Sequence, residues 1–199
     1  MNLKSIFVPV LFVFSACSST SIVSSWKDPN ASVNPEQLNK VMVVALIKSE
    51  GMRRVAEDKM ATFNKAFQVS YNEFSSKEIM DNEERCRAIL KDQGFDGIIT
   101  LRVTGAQKER TYVPSPAATG GGYWAYHGQY YPGFYQAGYY QEDMKYVIET
   151  HVFSLKQNKL LWAGITSTVS EGAIDEQTVA DVMHEVRKQM VKDKFIPAM

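Results

Sequence analysis

The stretch Lys40–Ile47, KVMVVALI, constrains the fold more than any other part of the chain. Its apolar residues do not alternate with polar ones and several are β-branched, so it is read as a strand covered on both faces. Such a strand needs a packing layer above and below it. The residues that follow supply the first: Met52, Val55, Ala56, Met60, Phe63 and Phe67 recur at helical spacing and make one apolar stripe between Met52 and Phe67. Arg53, Arg54, Glu57 and Asp58 read as the solvated face of that helix, with ion pairs worth about 0.2–0.5 kcal/mol each.

The same reading extends down the chain. FQVSYNEF is a short second strand. A second helix is capped by Asp81 or Asn82, carries Glu83 and Glu84 at its positive end, turns Cys86, Ile89 and Leu90 inward and stops at Gly94. Asp96–Thr104 alternates Ile99, Leu101 and Val103 as a central strand. MKYVIETHVFSL and KLLWAGITSTVS are antiparallel strands joined by a turn at Gln157-Asn158. A terminal helix begins at Asp175, with Val179, Val182, Met183, Val186 and Met190 on one stripe, and runs to about Lys192. The order β-α-β-α-β, a long loop, then β-β-α predicts an α/β fold of the mixed-sheet (α+β) kind with helices packed on the sheet. No internal repeat is present.

Upstream, Ile6–Phe14 is apolar throughout but spans less than half of the roughly 20 residues a membrane-crossing helix needs. It ends in Ser15-Ala16-Cys17, small residues of the kind found at a secretory cleavage site. Cleavage before Cys17 would make residues 1–16 a signal peptide. Residues 17–39 then form a Ser- and Pro-rich tether, and residues 40–199 a single domain with a Tyr/Gly-rich insertion at about 111–143. Trp26, at the far end of the tether, is large enough to dock on the domain. The precursor balances 22 basic against 22 acidic residues, and losing Lys4 leaves one more acid than base. No basic surplus invites a nucleic-acid partner.

Phe14-Ser15-Ala16-Cys17 resembles the lipobox of bacterial lipoproteins, with Phe14 at the position usually held by leucine. That resemblance implies a diacylglyceryl thioether and an N-acyl chain on Cys17; no other cofactor is expected. Three acyl chains, at about 0.8 kcal/mol per buried methylene, hold a protein on a membrane essentially permanently. Ser18 in place of aspartate fits sorting to the outer rather than the inner membrane. The lipobox, SSWKDPN, KVMVVALIKSEGMRRVAEDKM, GFDGIITLRV and KLLWAGITST together make the chain similar to uncharacterised bacterial lipoproteins with a domain of unknown function. The element order resembles the amino-terminal domain of TolB, the lipoprotein that activates a penicillin-binding protein and, in related elements, the curli secretion lipoprotein. These resemblances imply a periplasmic binding or scaffolding domain with an envelope protein partner.

The insertion carries Tyr112, Tyr123, Trp124, Tyr126, Tyr130, Tyr131, Phe134, Tyr135, Tyr139 and Tyr140 among glycines. Its composition fits a low-complexity loop, and equally a contact surface for a protein or a glycan, because tyrosine offers apolar area with a polar tip. Tyr123, Trp124, Tyr126, Tyr130, Tyr131, Tyr135, Tyr139 and Tyr140 are the candidate contacts. Basic residues do not interleave them, as they would on a nucleic-acid platform. Glu149 and His151 share one face of a strand, but a third metal ligand is missing nearby. IKSEGMRR holds no phosphate cradle and no GxSxG occurs. With Cys17 alkylated, Cys86 cannot form an intramolecular disulfide and reads as a small buried hydrophobe. The expectation is a non-enzymatic, lipid-anchored binding protein. The alternatives are a glycan-acting or glycan-binding envelope protein, with Glu149 as one acid, and an accessory subunit of a transport or secretion assembly.

Overall fold

The computed structural model describes residues 20–30, 38–113, 139–170 and 172–197. Its elements follow as β1 (Ser21–Lys27), β2 (Val41–Leu46), α1 (Glu50–Ala61), β3 (Phe67–Val69), α2 (Ser76–Asp81), α3 (Glu83–Asp92), β4 (Gly97–Val113), β5 (Tyr139–Ser154), β6 (Lys159–Ser170) and α4 (Glu176–Lys192). The strands form one six-stranded sheet in the order β1-β6-β5-β4-β2-β3. β2 runs parallel to β3 and β4, and the other pairings are antiparallel. The α/β mixed sheet expected from the sequence is the fold observed.

β2 divides its side chains between two apolar clusters, as a doubly covered strand must. Val41, Val43 and Ala45 join the larger cluster with Ala56 and Met60 of α1 and Val179, Val182, Val186 and Met190 of α4. Met42 and Val44 point the other way, onto Phe74, Leu90 and Phe95 beside α2 and α3. The second cluster takes no residue from β1 or β6, so Trp26 lies on the outward face of β1 opposite Ala163, at 48% exposure.

The stripe on α1 is rotated from the expected one. Val55 is exposed, while Arg53 and Glu57 are fully buried. The reason is the backbone that surrounds them. β2 and β3 end against α1 with amide groups that water cannot reach, and the Glu57 carboxylate accepts from the N–H groups of Ala45 (3.1 Å), Ser70 (2.7 Å) and Tyr71 (3.0 Å). Arg53 Nε donates to the same carboxylate at 2.9 Å, its Nη2 donates to both Ser70 Oγ (2.7 Å) and the Phe74 carbonyl (3.0 Å), and its Nη1 donates to Glu50 at 3.3 Å. A buried charge pair survives when its remaining hydrogen-bond capacity is also met, and here it is.

Three further differences come from local chemistry. The helix expected to reach Phe67 stops at Ala61, with Thr62 as its C-cap. α2 has no counterpart in the sequence reading, although Ser75 and Glu78 close a capping box at its start. β1 draws Ser21–Lys27, from the segment read as tether, into the sheet against β6. By contrast α4 follows the sequence reading closely: Asp175 is its N-cap, accepting from Thr178 N, and the whole expected stripe is buried.

The β5–β6 side of the core is organised by Trp162, which is fully buried. Its indole Nε1 donates to Asp193 Oδ2 at 2.9 Å and its ring stacks near Phe195, with centroids 6.5 Å apart. Burial pushes the Asp193 carboxyl up, but hydrogen bonds from Trp162, Ser25 and Gln189 outweigh it and leave the group below its ordinary range. Gly164, two residues on and so on the same face, gives the ring room: a Cβ there would sit 2.2 Å from Trp162 Cη2.

Candidate functional site

β4 and β5 outrun the rest of the sheet. β2 stops pairing with β4 at Arg102, and β6 stops pairing with β5 at Met144. Beyond the Lys108–Met144 pair, Glu109–Val113 and Tyr139–Asp143 continue as a two-stranded ribbon. At about 3.3 Å per residue the described part of this arm is roughly 15 Å long. It replaces the ends of the expected insertion: residues 111–113 and 139–143 are paired strand, and β4 runs nine residues past the expected end at Thr104.

A β-bulge sets which way the arm's side chains face. The register shifts between Val103 and Gly105, leaving Thr104 as the extra residue, with its hydroxyl donating to the Val147 carbonyl at 3.2 Å. Before the bulge the odd-numbered residues Ile99, Leu101 and Val103 face the α1–α4 core; after it the even-numbered ones share that side. The core side of the arm therefore reads, from base to tip, Lys108 opposite Met144, Arg110 opposite Glu142, and Tyr112 opposite Tyr140.

Ion pairs hold the shaft. Arg110 Nε donates to Glu142 Oε1 at 2.7 Å, Lys108 lies 3.8 Å from Glu142 Oε2, and Lys145 donates to Glu109 at 3.0 Å on the opposite side. Exposed pairs are worth about 0–1 kcal/mol each, so they align the strands more than they stabilise them. At the tip the Tyr112 and Tyr140 rings lie 5.3 Å apart in a tilted pair. Tyr112, Tyr139 and Tyr140 are 53%, 62% and 69% exposed. An exposed aromatic pair on a strand scaffold presents large area with few rotors to freeze on binding. The outer edge of β4 from Val103 onward also has no partner strand among the described residues, and its lysine and arginine are the residue types that blunt an open edge.

Of the candidate contacts, Tyr139 and Tyr140 are on this arm. Cys17, Tyr123, Trp124, Tyr126, Tyr130, Tyr131 and Tyr135 lie outside the described residues. Tyr112 completes the pair with Tyr140; the alternation in RTYV and YYQED carried that signal.

The other chemical candidates are committed elsewhere. Glu149 accepts from Arg102 at 2.8 Å, and His151 packs edge-on against Phe153. Among the described residues no three His, Cys, Asp or Glu side chains gather as metal ligands. Cys86 is half-buried beside the second cluster, its thiol donates to the Glu78 carbonyl at 3.6 Å, and burial pushes its pKa up. A thiol held protonated and packed is a structural one. No helix among the described residues is long and apolar enough to cross a membrane.

No family model matches the chain, and no curated protein matches it in sequence. Solved structures similar to it include the PelC dodecamer from Paraburkholderia phytofirmans, at a TM-score of 0.42 and 8% identity over 90% of this chain and 99% of that one. Lipoprotein GNA1162 from Neisseria meningitidis is similar at a TM-score of 0.39 and 11% identity, over 77% of this chain and 98% of that one.

Proposed function

We propose that this chain is a non-enzymatic binding domain, lipid-anchored through Cys17 to a bacterial envelope membrane and facing the periplasm. The β4–β5 arm is its contact with an envelope protein. One observation carries the reading: three exposed tyrosines stand at the last described pairs of a ribbon whose other end is embedded in the sheet. The arm's base is continuous with the core through Tyr146 and Ile148, so its tip is positioned by a rigid scaffold. Surfaces built this way concentrate affinity in a few aromatic anchors.

A protein partner fits the arm better than a glycan does. The open β4 edge offers unpaired backbone groups to an added strand while the tyrosines anchor its side chains. The test is capture of envelope proteins by the wild-type chain and by Tyr112→Ser/Tyr140→Ser. The reading expects one defined partner to be lost with the tyrosines. Equal capture by both chains refutes the arm as the contact. Labelled palmitate entering the wild type but not Cys17→Ser supports the anchor, and equal labelling of both removes it.

A further inference from the structure

Away from the arm, a cavity of about 450 Å³ opens between the end of α4 and the lower edge of the sheet. It is lined by Val152, Ile99 and Phe67 from the sheet and by Met183 and Val186 from α4. Its size falls within the roughly 300–1,000 Å³ typical of small-molecule sites. Among the described residues no acidic one lines it. The charged groups that do are Lys65 and Arg187. Arg187 is exceptional in this molecule: every other arginine is ion-paired, and Arg187 has no acidic partner among the described residues.

An apolar cleft bordered by two cations with no acidic partner among the described residues suits a ligand with an alkyl body and an anionic head. Apart from Asn64, Lys65 and Arg187 the lining is aliphatic and aromatic, too few polar groups to satisfy the backbone N–H and C=O groups a peptide would bring, whereas an alkyl chain has none to satisfy. We propose that this cavity binds a free fatty acid, with the acyl chain between α4 and the sheet and the carboxylate held by Arg187 and Lys65. Each methylene transferred from water contributes about three- to fourfold in affinity. Longer acids should therefore bind more tightly until the cavity is full. Arg187 offers the planar, multiply donating head that suits a carboxylate.

The experiment is photolabelling of the full chain with a diazirine-bearing palmitate, followed by mass spectrometry of the labelled peptides. The proposal expects adducts in the segments around Phe67 and Met183–Ile196. Palmitate should compete with the label at least tenfold better than palmityl alcohol, and laurate more weakly than palmitate. Arg187→Glu/Lys65→Glu should lose at least tenfold in labelling, while Arg187→Lys retains the preference for acid over alcohol. Adducts confined to other segments, equal competition by acid and alcohol, or undiminished labelling of a charge-reversed chain with an unaltered melting curve would overturn it. If charge reversal alters the melt, the acid-to-alcohol ratio on the wild type decides.

Discussion

Gly164→Ala isolates the packing of the β5–β6 side in a single methyl group. The added Cβ would meet Trp162 Cη2 at 2.2 Å, Cζ3 at 2.8 Å and Cζ2 at 3.0 Å, all well inside contact distance. The indole is rigid and fully buried, so it can move only by leaving its place near Phe195 and its hydrogen bond to Asp193. Overpacking a core costs about 1–3 kcal/mol. Losing a hydrogen bond to a charged group adds about 1.5–3 kcal/mol. The expected destabilisation is thus about 3–5 kcal/mol, or a melting temperature lower by roughly 10 °C for a domain of this size.

Urea unfolding followed by circular dichroism measures this without relying on tryptophan emission. Trp162→Phe removes the clashing ring atoms, so the alanine should cost at least about 1 kcal/mol less in that background, a coupling a double-mutant cycle resolves. Gly51→Ala is the control, since the nearest atom to its Cβ is Ser49 Oγ at 4.0 Å; a helical alanine there should be neutral to stabilising by up to about 1 kcal/mol. The reasoning would fail if Gly164→Ala cost less than about 1 kcal/mol, or if it cost as much in the Trp162→Phe background as in the wild type.

Three other outcomes follow from the core and its caps. Glu57→Gln removes the buried counter-charge of Arg53, leaving it only the part-exposed Glu50 at 3.3 Å, and should destabilise by about 3 kcal/mol in the same assay; a loss under about 1 kcal/mol would refute the network's role. Thr150 Oγ1 is the one buried side-chain polar atom without a partner among the described residues, so Thr150→Val should stabilise by about 1 kcal/mol, and a destabilised variant would count against that. Hydrogen bonds from the Thr178 hydroxyl and amide hold the Asp175 carboxyl below its ordinary range. Its folded-state value lies below the unfolded one, so its contribution is full above about pH 4 and fades as pH falls through the folded value. The stability difference between wild type and Asp175→Asn should narrow on acidification, and a gap that stays constant contradicts the assignment.

Periodicity identifies the elements whose burial it alone decides. α4 and the β5–β6 hairpin follow their patterns because one face of each meets the core. α1 does not, because Arg53 and Glu57 look like solvent-facing charges until the ends of β2 and β3 bring buried amides to them; the contacts responsible lie 12 to 14 residues away in sequence. β1 is short and serine-rich, and what makes it a strand is the free edge of β6. The β4–β5 arm is hidden by composition: charges on both faces and tyrosines beside a glycine-rich stretch resemble a loop, and only cross-strand pairing distinguishes the two. Gly164 is readable in principle, since a glycine two residues from a tryptophan on one strand face marks a ring lying over backbone.

The most direct test of the arm as a contact surface is a photo-crosslinking amino acid placed at Tyr140, with Lys188 on the exposed side of α4 as the comparison position. The binding reading predicts a discrete adduct with one envelope protein from position 140, absent from position 188 and lost when Tyr112→Ser is added. No adduct above that seen at position 188, or one indifferent to Tyr112, would contradict it.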